Sequence, residues 1–272
     1  MERFKPHVKK LARFGCYSIS AVYILVGLMA ILSFLGLAQD DADEERIVDV
    51  ILELPFGEVL IASLIAGLIG YIIWRLFEAY TDPYNFGNDK KGIAKRAGIA
   101  LSAVGYVMIA FAAAQILIQG GGGDSEEEQQ SMIAKVLGFP AGAWLVGIAG
   151  AVTGIAGLVQ FKYVATGDYI KRINLQDMAG WMASTTHTLA WAGHIARGII
   201  LAILGYFLIS AGIKSDPEEV GDTDSAFDFI GDFGTIGHIM FIAVALGTIS
   251  YGIFMVINGY YYSFEEGEEK EE

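Results

Sequence analysis

The sequence has one cysteine and four histidines among 272 residues, so few side chains are available for disulfide bonds or for binding metal ions. A single cysteine, Cys16, excludes an internal disulfide network and any site that needs several cysteine ligands. Charged residues are also sparse, at 18%, against about 25% in an average soluble domain. The formal net charge of −13 excludes the basic surface that nucleic-acid binding requires. We therefore expect no nucleic-acid partner.

Apolar residues, in contrast, make up 54% of the chain and are arranged in long runs. Six runs are each long enough to cross a hydrocarbon core of about 30 Å as a helix that rises about 1.5 Å per residue. The sequence therefore predicts an all-α membrane protein, with the lipid bilayer as its first partner. The predicted spans are residues 12–38, 56–80, 97–118, 139–164, 188–213 and 234–261.

The segments between the predicted spans differ in charge on the two sides. The segments after the first, third and fifth spans hold 18 acidic residues, and their only basic residues are Arg46, Lys135 and Lys214. The other lysines and arginines cluster on the opposite side. Because basic residues are retained in the cytoplasm, we expect both termini to be cytoplasmic and the acidic segments to be outside.

Glycine and tyrosine recur at matching positions in three consecutive units. Three units in the same orientation predict a pseudo-threefold axis along the membrane normal. The predicted repeats are residues 1–95, 96–180 and 181–264, followed by an acidic tail at 265–272. The recurring residues are Gly15, Gly98 and Gly193 in the odd-numbered spans, Tyr23 and Tyr106 eight residues after the first two, and Gly67 with Tyr71 and Gly247 with Tyr251 in the even-numbered spans.

These motifs resemble a bacterial membrane family, domain of unknown function 1206, over nearly the whole chain. In the first two units Ile19-Ser20 and Ser102-Ala103 stand where the third has Arg197-Gly198. The resemblance implies six spans and a bacterial inner membrane, and it supplies no activity whose residues could be carried over. The motifs that carry it are Ala12-Arg13-Phe14-Gly15 with Tyr23-Ile-Leu-Val-Gly27, Leu54-Pro55-Phe56-Gly57 with residues 67–79, and Ala196-Arg197-Gly198.

Four glycines share one face of the fourth span, at spacings of three, four and three residues. Small residues at this spacing let helix backbones approach closely in a membrane. The interpretation is tight helix packing, with a pore lining of bare backbone as the alternative. These glycines are Gly147, Gly150, Gly154 and Gly157.

Ionisable side chains inside the spans are the candidate binding residues, because their burial in lipid is unfavourable. Arg75 and Glu78 are three residues apart near one end of the second span and can pair on the helix surface. They form either a structural, interfacial pair or part of a site.

The fifth span carries His187, His194 and Arg197 on one face. Measured from the outer end of that span, Arg197 is expected about 5 Å inside the cytoplasmic boundary. This stripe could line a vestibule, bind an anionic headgroup, or pair with Glu78. Alternatively, Arg197 simply extends to the headgroup level beside the histidines.

Catalysis and cofactor binding are not expected. His187 and His194 are about 10 Å apart along the helix axis, too far to chelate one metal ion. Cys16 is interpreted as an apolar filler, and no nucleophile–base pattern occurs. The predicted function is an accessory or binding protein whose partner is an anionic lipid or another membrane protein. The alternative is a channel or transporter that conducts an ion or small solute through the bundle.

Overall fold

The computed structural model describes residues 5–36, 57–82, 86–119, 125–170, 173 and 178–261, and every regular element among them is helical. Short 3₁₀ turns at Asp168–Ile170 and Pro217–Glu219 connect some of the helices. The α-helices are α1 (Lys5–Phe34), α2 (Gly57–Thr81), α3 (Lys90–Gln119), α4 (Ser125–Leu137), α5 (Gly142–Thr166), α6 (Gly180–Lys214), α7 (Thr223–Gly231) and α8 (Gly234–Tyr261).

Several of these helices are long and apolar enough to cross a membrane. The qualifying segments correspond to the first, second, fourth, fifth and sixth predicted spans. The third predicted span lies within α3, a helix of 30 residues, and its crossing of the membrane stays a prediction. The five qualifying segments are Arg13–Phe34, Ile61–Thr81, Gly142–Thr166, Gly180–Lys214 and Gly234–Tyr261.

The long helices pack in a continuous series. Helix α1 packs against α2 and α8, α2 packs against α3, and α6 packs against α5 and α8. The order of neighbours is therefore α3, α2, α1, α8, α6, α5. Within the described part of the chain, α3 and α5 at the two ends of this series form no extended contact with each other.

Two of the acidic connecting segments, which the sequence predicts to be loops, contain helices. Helix α7 begins with a capping box, in which Asp222 and Ser225 each accept from the other's backbone amide. Val136 and Leu137 of α4 pack against a buried apolar group that includes Val146. Acidic composition hid these helices because only one narrow face of each is apolar. The expected loop at 39–53, the glycine run at 120–123 and the acidic tail lie outside the described residues.

Glu219 links the end of α6 to the 3₁₀ turn that follows it. Its carboxylate accepts hydrogen bonds from Ser210 Oγ at 2.6 Å and from Lys214 Nζ at 2.8 Å. The bond from Lys214, followed by that from Ser210, lowers the pKa of Glu219. This contribution to stability is therefore present above the usual glutamate pKa and is lost as the pH falls through the lowered value.

The predicted packing glycines lie at the contact between α5 and α6. A β-carbon at Gly150 would lie 2.7 Å from the Ile209 nitrogen, and one at Gly157 would lie 2.9 Å from the Gly198 oxygen. An added β-carbon at Gly147 or Gly154 has nothing within 4 Å, but the nitrogens of these two residues lie 2.8 and 2.7 Å from where β-carbons on Gly212 and Gly205 of α6 would be. Glycine on both helices therefore brings the two backbones together.

Candidate functional site

Helix α6 begins earlier in the chain than the predicted fifth span, which places Arg197 at the middle of the helix. The helix begins at Gly180, eight residues before the predicted span, so Arg197 is at its midpoint. Its contact Tyr251 is ten residues before the end of α8, a distance of about 15 Å along the helix. The helix extends beyond the predicted span of residues 188–213, because small and polar residues such as those at 180–187 can continue a helix without being apolar. The depth of Arg197 in the membrane stays a prediction.

Aromatic rings from three other helices surround the Arg197 guanidinium. Its Nη1 donates a hydrogen bond to the Tyr251 hydroxyl. Its central carbon lies 5.0 Å from the centre of the Tyr251 ring, 5.7 Å from that of Tyr23 and 5.8 Å from that of Tyr106. Cation–π attraction at these distances stabilises the buried charge in part.

A second arginine lies beside this group. The rings of Tyr71 and Tyr106 meet edge to face at 5.0 Å, and the Arg75 guanidinium lies 5.0 Å from the centre of the Tyr71 ring. Arg75 Nη1 donates to Glu78 Oε2 at 2.9 Å. Glu78 is fully buried and pairs with Arg75 on its own helix, so the expected Arg197–Glu78 pair is not formed. We call Arg197, Tyr23, Tyr71, Tyr106 and Tyr251 the central cluster.

The charge of Arg197 has no carboxylate to balance it among the described residues. The bond to Tyr251 is the one hydrogen bond that those residues offer its guanidinium. Its buried Nε atom has no hydrogen-bond partner there, and neither does the buried hydroxyl of Tyr106. Buried polar atoms are normally paired, so these two donors are the chemically distinctive feature of the cluster.

His194 is one helical turn from Arg197 and is buried among aromatic rings. Its Nδ1 lies 2.7 Å from Gln160 Oε1. Rings of four residues pack around the imidazole at centroid distances of 5.4 to 5.7 Å. Its buried Nε2 has no hydrogen-bond partner within the described ranges. The surrounding rings are those of Tyr163, Tyr169, Tyr251 and Phe254.

His187 is separated from the central cluster. It is exposed near the beginning of α6, and its Nδ1 lies 3.5 Å from the Tyr169 hydroxyl. Burial raises the pKa of Tyr169, so this hydroxyl stays protonated and can donate to His187. Within the residues that the structure describes, no three His, Cys, Asp or Glu side chains could together hold a metal ion.

Neither the tyrosines nor Gln160 was among the site residues predicted from the sequence. The available signal was the recurrence of tyrosine at equal offsets, eight residues after Gly15 and Gly98 and four residues after Gly67 and Gly247. That pattern indicated a repeat. The structure adds that three of the four recurring tyrosines contact Arg197 and that the fourth, Tyr71, packs against Tyr106.

The architecture and this cluster define an all-helical protein with several apolar helices suited to a membrane. More specifically, the chain belongs to the Domain of Unknown Function (DUF1206) family, which matches residues 14–82, 97–167 and 192–262. The threefold repeat and the resemblance are thereby confirmed. The chain is similar to the uncharacterised protein YxxB of Bacillus subtilis strain 168, with 33% identity over 257 residues, which cover 94% of this chain and 92% of that protein. No solved structure matches the chain.

Proposed function

We propose that the protein crosses a bacterial cytoplasmic membrane six times, with both termini in the cytoplasm and three two-helix units around one axis. The packing order supports this arrangement. The second helix of each unit packs against the first helix of the next, as α2 with α3, α5 with α6 and α8 with α1. These three contacts between successive units are what a threefold arrangement requires, although the helices of the middle unit, α3 and α5, form no extended contact with each other in the part of the chain that the structure describes.

We further propose that the protein is a non-catalytic binding protein and that the central cluster holds a monoanionic ligand. The observation that carries this proposal is the single unbalanced charge of Arg197 at the middle of the bundle. An intramembrane arginine is unfavourable unless it is paired, and an anion on Arg197 would complete the pair. The anion can belong to a lipid or to a smaller molecule.

The chemistry of the cluster favours binding over catalysis. A guanidinium and phenol hydroxyls are good donors to an anion, whereas covalent catalysis needs a nucleophile beside a base. His194 is the nearest candidate base, and its Nε2 has no hydrogen-bonded nucleophile among the described residues. Cys16 is buried. An open channel is the less favoured function, because Arg197 and its rings lie between α1, α3, α6 and α8.

Mass spectrometry of the full chain in a nonionic detergent tests the binding function. We expect the protein to retain an anionic molecule and Arg197→Gln to reduce its amount at least tenfold, because a charge-assisted hydrogen bond is lost. Arg13→Gln is the matched control, since Arg13 is exposed on α1. Equal anion content in both variants, or none in the wild type, would contradict the proposal.

Reconstitution into phospholipid vesicles tests the alternative function. We expect release of chloride, potassium and a small neutral solute to equal that of vesicles without protein. Solute release that depends on the protein and changes in Arg197→Gln would establish conduction and would overturn the binding function.

A further inference from the structure

The middle unit differs from its two neighbours at the contact between its helices. In the first unit a β-carbon at Gly15 would lie 2.5 Å from Tyr71 Cβ, and in the third unit one at Gly193 would lie 2.6 Å from Tyr251 Cα. The corresponding residues of the middle unit are Gly98 and Leu158. An added β-carbon at Gly98 has nothing within 4 Å.

Exposure of the three corresponding residues shows the same difference. Tyr71 and Tyr251 are each 4% exposed, whereas Leu158 is 63% exposed. Gly154, which corresponds to Gly67 and Gly247, also has open space where a β-carbon would lie. The α3–α5 side of the bundle is therefore the side on which the series of packed helices is open.

This opening is level with Arg197. Gly157 packs directly against Gly198, the residue after Arg197, so Leu158 is at the level of the Arg197 backbone. Tyr106 of α3 lies on the other side at the same height, 5.8 Å from the Arg197 guanidinium carbon. The opening thus leads from the lipid-facing side of the molecule towards the central cluster.

The donors at this height suit a carboxylate. Nη1 of Arg197 donates its hydrogen bond to the Tyr251 hydroxyl. The Nε and Nη2 atoms, which form one edge of the guanidinium, therefore remain available to a ligand. Two parallel N–H groups on that edge match the two oxygens of a carboxylate. The Tyr106 hydroxyl, which has no partner among the described residues, is a third donor nearby.

The remainder of the opening is apolar. From Leu158 towards the beginning of α5, large exposed side chains follow one helix face for fourteen residues, or about 21 Å. An alkyl chain against this face would bury apolar surface on both partners. The residues are Trp144, Ile148, Ile155 and Leu158.

We propose that the ligand of the central cluster is a single-chain amphiphile with a carboxylate head, of the fatty-acid class, and that it enters between α3 and α5. Its head binds Arg197 and Tyr106, and its chain lies along the exposed face of α5. This inference rests on the proposed binding function and specifies the ligand. One guanidinium balances one carboxylate, and a carboxylic acid can reach mid-depth in its neutral form, whereas the phosphodiester of a phospholipid stays charged.

Electron paramagnetic resonance tests this proposal with the full chain in phosphatidylcholine vesicles. The probe is stearic acid with a nitroxide near the carboxyl group, which gives an immobilised spectral component when protein-bound. We expect palmitate to displace the probe, and hexadecanol, acetate and phosphatidylglycerol at the same concentration to leave it bound. Hexadecanol lacks the charge, acetate lacks the chain, and phosphatidylglycerol carries a phosphodiester and a second chain.

Substitutions separate the head site from the chain site. Arg197→Gln should weaken probe binding tenfold or more, and Tyr106→Phe about threefold, because a neutral donor contributes less than a charged one. Leu158→Trp should obstruct the opening and weaken binding, whereas Ile253→Trp, on the exposed side of α8, should not. If Arg197→Gln does not fold, Arg197→Lys keeps the charge without the bidentate edge and should give an intermediate loss.

Each contrary outcome has a distinct meaning. Displacement by hexadecanol as efficient as by palmitate, or binding that is insensitive to Arg197, Tyr106 and Leu158, would overturn the inference. Displacement by phosphatidylglycerol or acetate as efficient as by palmitate would overturn it too. If the Arg197→Gln variant still loses binding in those last two cases, the proposed function survives with a phospholipid or a soluble anion as ligand.

Discussion

The two arginines inside the bundle differ in how their charge is balanced. Arg75 has a carboxylate three residues away on its own helix, and Glu78 is buried completely by the surrounding bundle. Arg197 contacts tyrosine rings and donates one hydrogen bond to a tyrosine hydroxyl, and no carboxylate among the described residues pairs with it. At the scale of single residues, Glu78 therefore balances the charge of Arg75, whereas the proposed ligand would balance the charge of Arg197.

Breaking the Arg75–Glu78 pair should destabilise the protein strongly. Arg75→Met leaves the fully buried carboxylate of Glu78 without this partner, and we expect a loss of about 3–5 kcal/mol in the free energy of unfolding. Adding Glu78→Leu removes the buried charge and should recover most of that loss. Denaturant unfolding of the single and double variants in detergent measures this coupling; additive effects would show that the pair contributes no interaction energy.

The residues that sequence reasoning could pair were those close together in the chain. Arg75 and Glu78 share one helix face by spacing alone. Gln160 and His194 are 34 residues apart, and Arg197 and Tyr251 are 54 apart. Their meeting depends on which helices of different units become neighbours, and local periodicity contains no information about that choice. The recurrence of tyrosine therefore indicated a repeat without indicating a site.

The helices themselves were predictable where hydropathy changes sharply at their ends. The sixth predicted span coincides with α8, Gly234–Tyr261. The beginning of α6 was missed because small and polar residues such as Ser184 and Thr185 can continue a helix without being apolar. The same limit hid α4, whose sequence is polar and charged over its first half.

Glycine substitutions in α5 should have opposite signs at neighbouring positions. The methyl group added by Gly147→Ala lies in open space. This substitution should stabilise the protein by up to about 1 kcal/mol, because alanine has a higher helix propensity than glycine. Gly150→Ala forces a methyl group against the backbone of α6 and should destabilise it by about 1–3 kcal/mol. The melting temperatures of both variants in one detergent measure the contrast. Equal shifts would mean that α5 and α6 do not approach as closely as described.

Orientation of the whole molecule can be tested with added cysteines. Cysteines at Asp43, Ser125 and Asp224 should react with a membrane-impermeant thiol reagent applied outside intact cells, whereas one at Asn88 should react only after lysis. The charge difference between the two sides is the physical reason. The unsubstituted chain is the control, because its one cysteine is buried. External labelling at Asn88 would reverse the proposed orientation.

The length of α6 has a geometric consequence for the molecule in a bilayer. Its 35 residues span about 52 Å, and even a tilt of about 40°, the upper end of the observed range, projects this to about 40 Å. The hydrocarbon core is about 30 Å thick, so at least two helical turns must project into the interface or beyond. Trp181, exposed one residue after the beginning of α6, is suited to anchor that projecting end among the headgroups.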